Sequence, residues 1–289
     1  MNRLALGTAQ FGLPYGISNK EGQSPPEEIR KILNLALMSN IDTIDTAISY
    51  GDSESSLGHF GTDNFKVITK LPPFLSKDLT LQAWFYKQIN NSLTRLNTSQ
   101  IYGLLLHDPK QLLESYGEDL FKSLRELKDD GKIQKIGISI NTIEELEVLV
   151  PKFDFDLIQA PFNLIDRRLH NSGWLNKLKD NDVEIHVRSV FLQGLLLMPR
   201  KDLPRKFLPW ENLWDKWHQW INDSGISPLT ACLFYPLSFP EIDRVIVGVN
   251  SELQLKELIN SFNIKNIDNL PDLSSQDENL ICPSRWKTL

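Results

Sequence analysis

The sequence predicts an α/β chain folded as a single closed (β/α)8 barrel. Eight strand-like runs occur along the 289 residues, starting near Leu4, Ile41, Lys66, Gln100, Ile133, Asp156, Val183 and Arg244, and most are followed by a helical pattern. Such alternation argues for parallel strands, because parallel neighbours need a crossover helix. Eight units in under 300 residues match a closed barrel. An open doubly wound sheet is the alternative. Against it, no Gly-x-Gly-x-x-Gly follows the first strand and no P-loop motif is present.

The elements follow in order. Leu4–Thr8 is a short strand. Ala9 to Glu21, rich in Gly and ending near Ser18-Asn19, reads as a loop. Ser24-Pro25-Pro26-Glu27 reads as a helix start with Ser24 as cap, followed by Ile29, Ile32, Leu33, Ala36 and Leu37 at helical spacing. The run Ile41 to Asp52 begins as a strand, breaks at Asp45 and passes into Tyr50-Gly51. Ser53–Phe60 is a short helix. Lys66–Lys70 is a strand, with a helix near Leu79–Leu96 behind it. Gln100–His107 is a strand, followed by one helix from Gln111 to Asp130 that stops at Gly131. Ile133–Ser139 is the next strand. Thr142 and Glu145 stand at capping-box spacing before the helix Thr142–Val150. Asp156–Ala160 and Val183–Ser189 are strands with a helix at Trp174–Asp180 between them. Val190–Pro209 is a long Pro-rich loop, of a length common in lids and substrate loops. Helices at Glu211–Asn222 and Pro228–Leu237 precede the strand Arg244–Gly248 and the helix Ser251–Ile259. The barrel unit is read as residues 1–289, with 263–289 as an irregular C-terminal tail over its body.

Composition narrows the function. Net charge is −6 with no dense basic run, which argues against a nucleic-acid partner or an anionic membrane surface. The start lacks a signal-peptide core, and no apolar run nears the roughly 20 residues of a membrane span. Cys232 and Cys282 stand far apart, in no metal-type spacing, as expected of a cytoplasmic, reducing location.

Three successive strands end in reactive side chains: Asp45 with Tyr50 just beyond, Lys70, and His107. Carboxyl ends of strands are where α/β proteins usually place chemistry. A phenol has a reference pKa of about 10, and a buried ammonium within reach favours the phenolate. Lys70 could supply that charge, Asp45 could hold Lys70, and His107 could orient a carbonyl or share the proton. A phenol so placed can protonate a developing alkoxide, as hydride transfer from a nicotinamide to a carbonyl requires. Singly, each residue has a plainer reading: a turn cap, a turn residue, a solvated strand end, a helix start.

The pattern Asp45-Thr-Ala-x-x-Tyr50-Gly51 with Glu54 and Leu57-Gly58, then Lys70 and Leu105-Leu-His107, resembles the aldo-keto reductase family. Leu4-Ala-Leu-Gly-Thr8, Ile136-Gly-Ile-Ser139, Gln159, Leu164-Ile-Asp-Arg167, Gln193-Gly-Leu195 and Val247-Gly248 recur in the family's order, so the resemblance runs from Leu4 to about Ile259. It implies a (β/α)8 barrel that reduces carbonyls with NADPH or NADH and without metal. By matching position Tyr50 is the proton donor, Lys70 its activator, Asp45 the partner of Lys70, and His107 the residue orienting the carbonyl. Cofactor contacts are implied for Gly7, Thr8, Asp45, Ser139, Gln159, Arg188, Ser189, Phe191, Gln193, Gly248, Asn250, Ser251 and Gln254. Three departures stand out. Ile140 takes the place of an Asn that often follows the serine, with Asn141 one further on. Arg188 takes the place of a tyrosine that often stacks on the nicotinamide. Asn250, Ser251 and Gln254 stand where a basic residue and an arginine commonly read the 2′-phosphate, so NADPH preference is open, and Glu252 would oppose a phosphate if it turned inward.

On the substrate side, Phe11, Tyr15, Tyr50 and His107 are expected to meet the carbonyl compound, with Trp84 a further candidate wall. A sugar or sugar derivative is one guess at the level of the resemblance. Trp210, Trp214 and Trp217 share a helix face, read either as core or as the wall of a sugar or aromatic pocket. Arg167 and Arg168 either hold an anion or pair with Asp166. Two rival functions remain. One is a non-catalytic nicotinamide-binding redox sensor of the same fold, and the other a barrel hydrolase or lyase using Asp42 and Asp45. No stretch reads as a dimer seam.

Overall fold

The computed structural model describes residues 3–261 and 267–287. Its strands are β1 Leu4–Gly7, β2 Thr43–Asp45, β3 Lys66–Leu71, β4 Ile101–Leu106, β5 Ile133–Ser139, β6 Leu157–Pro161, β7 Glu184–Arg188 and β8 Arg244–Gly248. Each pairs in parallel with its neighbours, and β8 closes on β1 with Leu4 beside Val245 and Gly7 beside Gly248, giving a closed eight-stranded barrel. The strands are largely apolar, but several of their residues, among them Asp45, Lys70, Gln159, His186 and Arg244, are buried polar or charged groups. Ile68, Leu105 and Leu157 fill the interior, separately from the larger shell between strands and helices.

The helices are α1 Ala9–Gly12, α2 Pro26–Met38, α3 Ser53–Phe60, α4 Leu81–Leu96, α5 Gly117–Asp129, α6 Ile143–Leu149, α7 Arg168–Asn171, α8 Trp174–Asp180, α9 Glu211–Ser224, α10 Pro228–Leu237, α11 Glu252–Asn260 and α12 Glu278–Ile281. Their chemistry explains most boundaries. Thr80 caps α4 by accepting from Ala83 N, Ser227 caps α10 by accepting from Thr230 N, and Thr142 with Glu145 forms the capping box of α6.

Several local expectations are corrected. The stretch after β1 is not wholly loop, because α1 forms there and turns Phe11 inward. Ser24 does not cap α2. Pro25 occupies that place, and the Ser24 hydroxyl donates to Asn250 O instead. The helix expected from Gln111 is broken, with a 3-10 turn at Pro109–Leu113 preceding α5. A Cβ at Gly117 would stand 2.1 Å from Leu112 O, so the chain needs a glycine where it doubles back.

The long segment after β7 carries 3-10 turns, and tryptophans hold it down. Trp214 Nε1 donates to Phe207 O at 3.0 Å and Trp217 Nε1 to Leu196 O at 3.2 Å. Both rings are buried, so of the two readings of this helix face the core is the one realised. Burying an indole with its N–H satisfied is the favourable arrangement. The described part of the tail is not irregular throughout. It forms α12 and a 3-10 turn at Pro283–Lys287, buries Leu280, Ile281 and Trp286, and is tied down by Ser275 N donating to Ile165 O. Of the expected tail, residues 263–266 and 288–289 lie outside the described residues.

Behind the third strand, Glu54 of α3 is a buried carboxylate with every bond placed. It accepts from Thr69 Oγ1 at 2.6 Å, Ser92 Oγ at 2.7 Å, and Arg95 Nε and Nη2 at 2.9 and 2.6 Å. That network ties α3 and α4 to the strand bearing Lys70. At the other end of the barrel Asp42 pairs with Arg244 at 3.2 Å and with Lys66 at 3.7 Å. Asp42 precedes β2 and Asp45 ends it, so the two carboxylates do not share a site. The hydrolase reading loses its acid pair.

Candidate active site

Asp45, Tyr50, Lys70 and His107 come together at the carboxyl ends of β2, β3 and β4. Lys70 Nζ donates to both Asp45 carboxylate oxygens at 2.7 Å and to Thr46 O at 2.9 Å. The pair is buried, with side-chain exposures of 1% and 6%. Asp45 Oδ1 also accepts from Gln159 Nε2 at 2.6 Å, and Gln159 Oε1 accepts from Ser139 Oγ at 3.1 Å. One polar chain thus crosses the barrel mouth from β3 through β2 and β6 to β5. Fully partnered, it satisfies groups that would otherwise be costly to bury.

Tyr50 sits above this chain. Lys70 Nζ lies 5.2 Å from its ring centroid, and the His107 ring meets it edge-on at 5.9 Å. His107 Nδ1 is 3.1 Å from Ser49 Oγ. If Nδ1 accepts from that hydroxyl, Nε2 carries the proton and can donate. The loop bearing Tyr50 is held against α1 by close backbone packing. A Cβ at Gly12 would stand 1.8 Å from Tyr50 O, and Gly51 adopts φ +53 against Gly12 O.

The electrostatics differ from the sequence expectation in one respect. Burial is the largest effect on the Tyr50 phenol and pushes its pKa up. Asp45 adds to that rise, and Arg188 opposes it. The expected lowering of the phenol pKa is therefore absent, and Tyr50 stays protonated at neutral pH. Burial lowers the Lys70 pKa, while Asp45 raises it. His107 is pushed down to about 4 by burial, with Lys70 and Arg188 adding and Asp45 opposing. The imidazole is neutral at pH 7. Between pH 6.5 and about 4 the unfolded chain binds this proton and the folded chain does not, so stability falls as the pH drops through that window. An NMR titration of the ring nitrogens should show His107 neutral at pH 5. A midpoint near 6.5 would mean that the site is wetter than the structure has it.

A cavity of about 790 Å³ runs from Tyr50 and His107 past Ser139 and Gln159 to the start of α11. Of the residues expected to hold a nucleotide, it is lined by Gly7, Thr8, Asp45, Ser139, Gln159, Arg188, Ser189, Phe191, Gln193, Gly248, Asn250 and Gln254. Its size suits a ligand larger than a simple carbonyl compound. Glycines at Gly7 and Gly248 keep the wall thin, since a Cβ at Gly248 would meet the Gln10 amide at 2.7 Å. A hydroxyl–amide pair, a hydroxyl-capped helix start and a long cavity fit a nicotinamide nucleotide. Ser251 is the exception in that set. Its hydroxyl accepts from Gln254 N as the cap of α11, and it does not line the cavity. Asn250 is also engaged, its Nδ2 donating to Gly22 O and its N–H to Gln254 Oε1. Glu252 is exposed and does not line the cavity, and its backbone N–H donates to Glu28 on α2.

Two substrate-side expectations are corrected. Phe11 is wholly buried beneath α1 and lines nothing, and Trp84 packs on Phe74 at 5.1 Å within the shell of α4. Tyr15 does line the cavity, and its hydroxyl accepts from Gln193 Nε2 at 3.2 Å. With Ile17 N donating to Gln193 O, the loops after β1 and β7 meet over the cavity. There the backbone is strained, with Ser189, Leu192 and Gln193 all at positive φ. Arg167 leaves the site, donating to Leu164 O and Pro271 O. Arg168 lines the cavity but is neutralised by a two-pronged pair with buried Asp166 at 2.8 Å.

Residues that sequence reasoning missed include Ile281, Cys282, Pro283 and Ser284, by which the tail supplies a wall, and Glu257 on α11. No local motif marks the tail. Glu257 could have been found, one turn beyond Gln254. Among the described residues, no group of three or more His, Cys, Asp or Glu could hold a metal ion, and no helix is long and apolar enough to cross a membrane.

Residues 3–270 match the model of the Aldo/keto reductase family. The aldo-keto reductase YhdN of Bacillus subtilis is 27% identical over 206 residues, covering 68% of this chain and 60% of that protein. The chain thus spans less than two thirds of that relative's length in the match. D-arabinose 1-dehydrogenase of Saccharomyces cerevisiae is 24% identical over 290 residues, covering 92% and 86%. Among solved structures, the aldo-keto reductase AKR11C1 of Bacillus halodurans in its holo form superposes with a TM-score of 0.71 at 19% identity, covering 92% and 88%. With the family model covering nearly all of a closed eight-stranded barrel, the chain belongs to the aldo/keto reductase family, whose members are oxidoreductases using NADPH or NADH.

Proposed function

We propose that this protein reduces an aldehyde or ketone to an alcohol, with Tyr50 as proton donor. The bound nucleotide supplies the hydride, and the chain supplies the rest. Tyr50 Oη gives its proton to the carbonyl oxygen as negative charge develops there. A phenol that is protonated at neutral pH is in the right state to do so. His107, neutral and backed by Ser49, donates from Nε2 to the same oxygen and orients it. Lys70 places a fixed positive charge beside the phenol, and Asp45 holds Lys70 in place. Ser139 and Gln159 exchange a hydrogen bond with one another and would exchange it for the nicotinamide carboxamide.

The observation that carries this reading is the half-buried phenol next to a neutral imidazole, over the Lys70–Asp45 pair, in the wall of the cavity. A sugar or sugar derivative is the substrate class favoured by the name of the yeast relative, D-arabinose 1-dehydrogenase. At the far end of the cavity Asn250 and Gln254 are neutral and Glu257 is acidic, so no cation among these three pairs with a 2′-phosphate. Calorimetric titration with NADH and NADPH tests the reading. Binding of at least one is expected, with NADH no weaker than NADPH. Failure of both to bind below millimolar would remove the cofactor and the reading with it.

A further inference from the structure

We propose that Arg188 is a fixed cation lying against the face of the nicotinamide, and that it makes the protein hold the reduced nucleotide more tightly than the oxidised one. The inference rests on the reductase reading above.

Arg188 is the last residue of β7 and pairs in register with Pro161 of β6. From there the guanidinium reaches across to the end of β5. Nη2 donates to Ile140 O and to Asn141 Oδ1, both at 2.8 Å, and Nη1 donates to Ser189 Oγ at 3.3 Å. The side chain therefore spans the strand ends that carry Ser139 and Gln159, the hydroxyl and amide expected to take the nicotinamide carboxamide. It also lines the cavity together with Tyr50 and His107, and its charge reaches both: it opposes the rise of the Tyr50 pKa and adds to the lowering at His107. Arg188, Ser139, Gln159, Tyr50 and His107 thus line one cavity.

How Arg188 can meet a ligand is set by which donors are left. A guanidinium grips a carboxylate or phosphate through two parallel N–H groups, and each such pair includes an Nη2 hydrogen. Here both Nη2 hydrogens are committed within the protein. No two-pronged grip on an anion remains. A guanidinium so committed can still meet a ligand through its planar face, which suits stacking on a planar ring.

The charge is also uncompensated. Arg168 meets the same Asn141, through its backbone oxygen, but carries its own carboxylate, Asp166. Among the described residues no carboxylate lies within ion-pair distance of Arg188, and Lys70 and Asp45 cancel one another. The electron count then decides the consequence. A hydride, one proton with two electrons, leaves the reduced ring for the carbonyl carbon, and the Tyr50 proton goes to the oxygen. The ring ends with one more positive charge than it began with. A cation on its face raises the energy of that oxidised form, so reduction is favoured and the spent nucleotide is released readily.

Calorimetric affinities for NADH and NAD+ on the intact chain test this. The wild type should favour NADH on the order of tenfold or more, as expected for like charges at stacking distance. Arg188→Gln should remove most of that preference, and Arg188→Lys should retain most of it. A second variant does not depend on removing the arginine. Asn141→Asp places a carboxylate on the guanidinium where the amide now stands, and should also reduce the preference. An unchanged ratio in both Arg188→Gln and Asn141→Asp overturns the inference, as does an equal loss in the Lys and Gln variants, which would trace the effect to shape and not charge. Absence of any nucleotide binding to the wild type would instead overturn the parent reading.

Discussion

Replacing Tyr50 with Phe should lower turnover by ~10²–10⁴-fold, the range a positioned general acid contributes. Nucleotide affinity should hardly change, because in the proposed reaction the hydroxyl meets the carbonyl, while Ser139, Gln159 and the loop after β7 would hold the nucleotide. The ring itself should stay in place. Its position is set by the backbone contact between Gly12 and the Tyr50–Gly51 turn and by the edge-on His107, and neither needs the hydroxyl. Single-turnover kinetics with NADH and a set of aldehydes measure the chemical step directly. If the step is undiminished, the proton comes from elsewhere, with His107 as the next donor to test. A fall in affinity matching the fall in rate would mean that the hydroxyl supports binding and not proton transfer.

Replacing Lys70 with Met should be the most damaging change to stability at the site. Removing one partner of a buried pair leaves the other charged without compensation and typically costs about 3–5 kcal/mol. Asp45 would keep the bond from Gln159 Nε2 but lose both bonds from the ammonium. Urea unfolding reads this as a lower midpoint with an unchanged slope. The double variant Lys70→Met, Asp45→Leu supplies the control. With both charges gone the desolvation cost disappears, and much of the lost stability should return while activity does not. A single variant as stable as the wild type would show that Asp45 takes up a proton or reaches solvent when its partner leaves.

Much of this was legible in the sequence, and the reasons differ by residue. The barrel was legible because a parallel sheet repeats its strand and crossover helix, and that period survives errors in single boundaries. Asp45, Lys70 and His107 were legible because a strand end is a local property of the chain. Phe11 was misread because an aromatic residue in a Gly-rich stretch looks like a loop residue, and only the four-residue α1 turns it inward. Ser251 could not be divided between cap and ligand, since the same hydroxyl suits either and the structure commits it to Gln254 N. The phenol pKa was misjudged because charge partners can be guessed from sequence whereas burial cannot, and burial is the larger effect at Tyr50. The wall formed by Ile281 to Ser284 had no local signature, because it depends on where the chain returns after β8.

The closure of β8 on β1 bears on how the molecule comes into being. Leu4 and Val245 are neighbours in the sheet yet stand at opposite ends of the chain. Contacts so distant in sequence slow folding, because chain entropy must be lost before they form. During synthesis, β1 to β7 emerge with two exposed edges that nothing yet joins, and open parallel edges in partly folded chains invite aggregation. Gly7 and Gly248 meet only through that pairing, so the far wall of the cavity depends on barrel closure, whereas Asp45, Lys70 and His107 stand on or just after the adjacent strands β2, β3 and β4. A nucleotide that spans both ends would act as a clasp across the seam, and the ligand-bound protein should be the form in which the barrel opens least often.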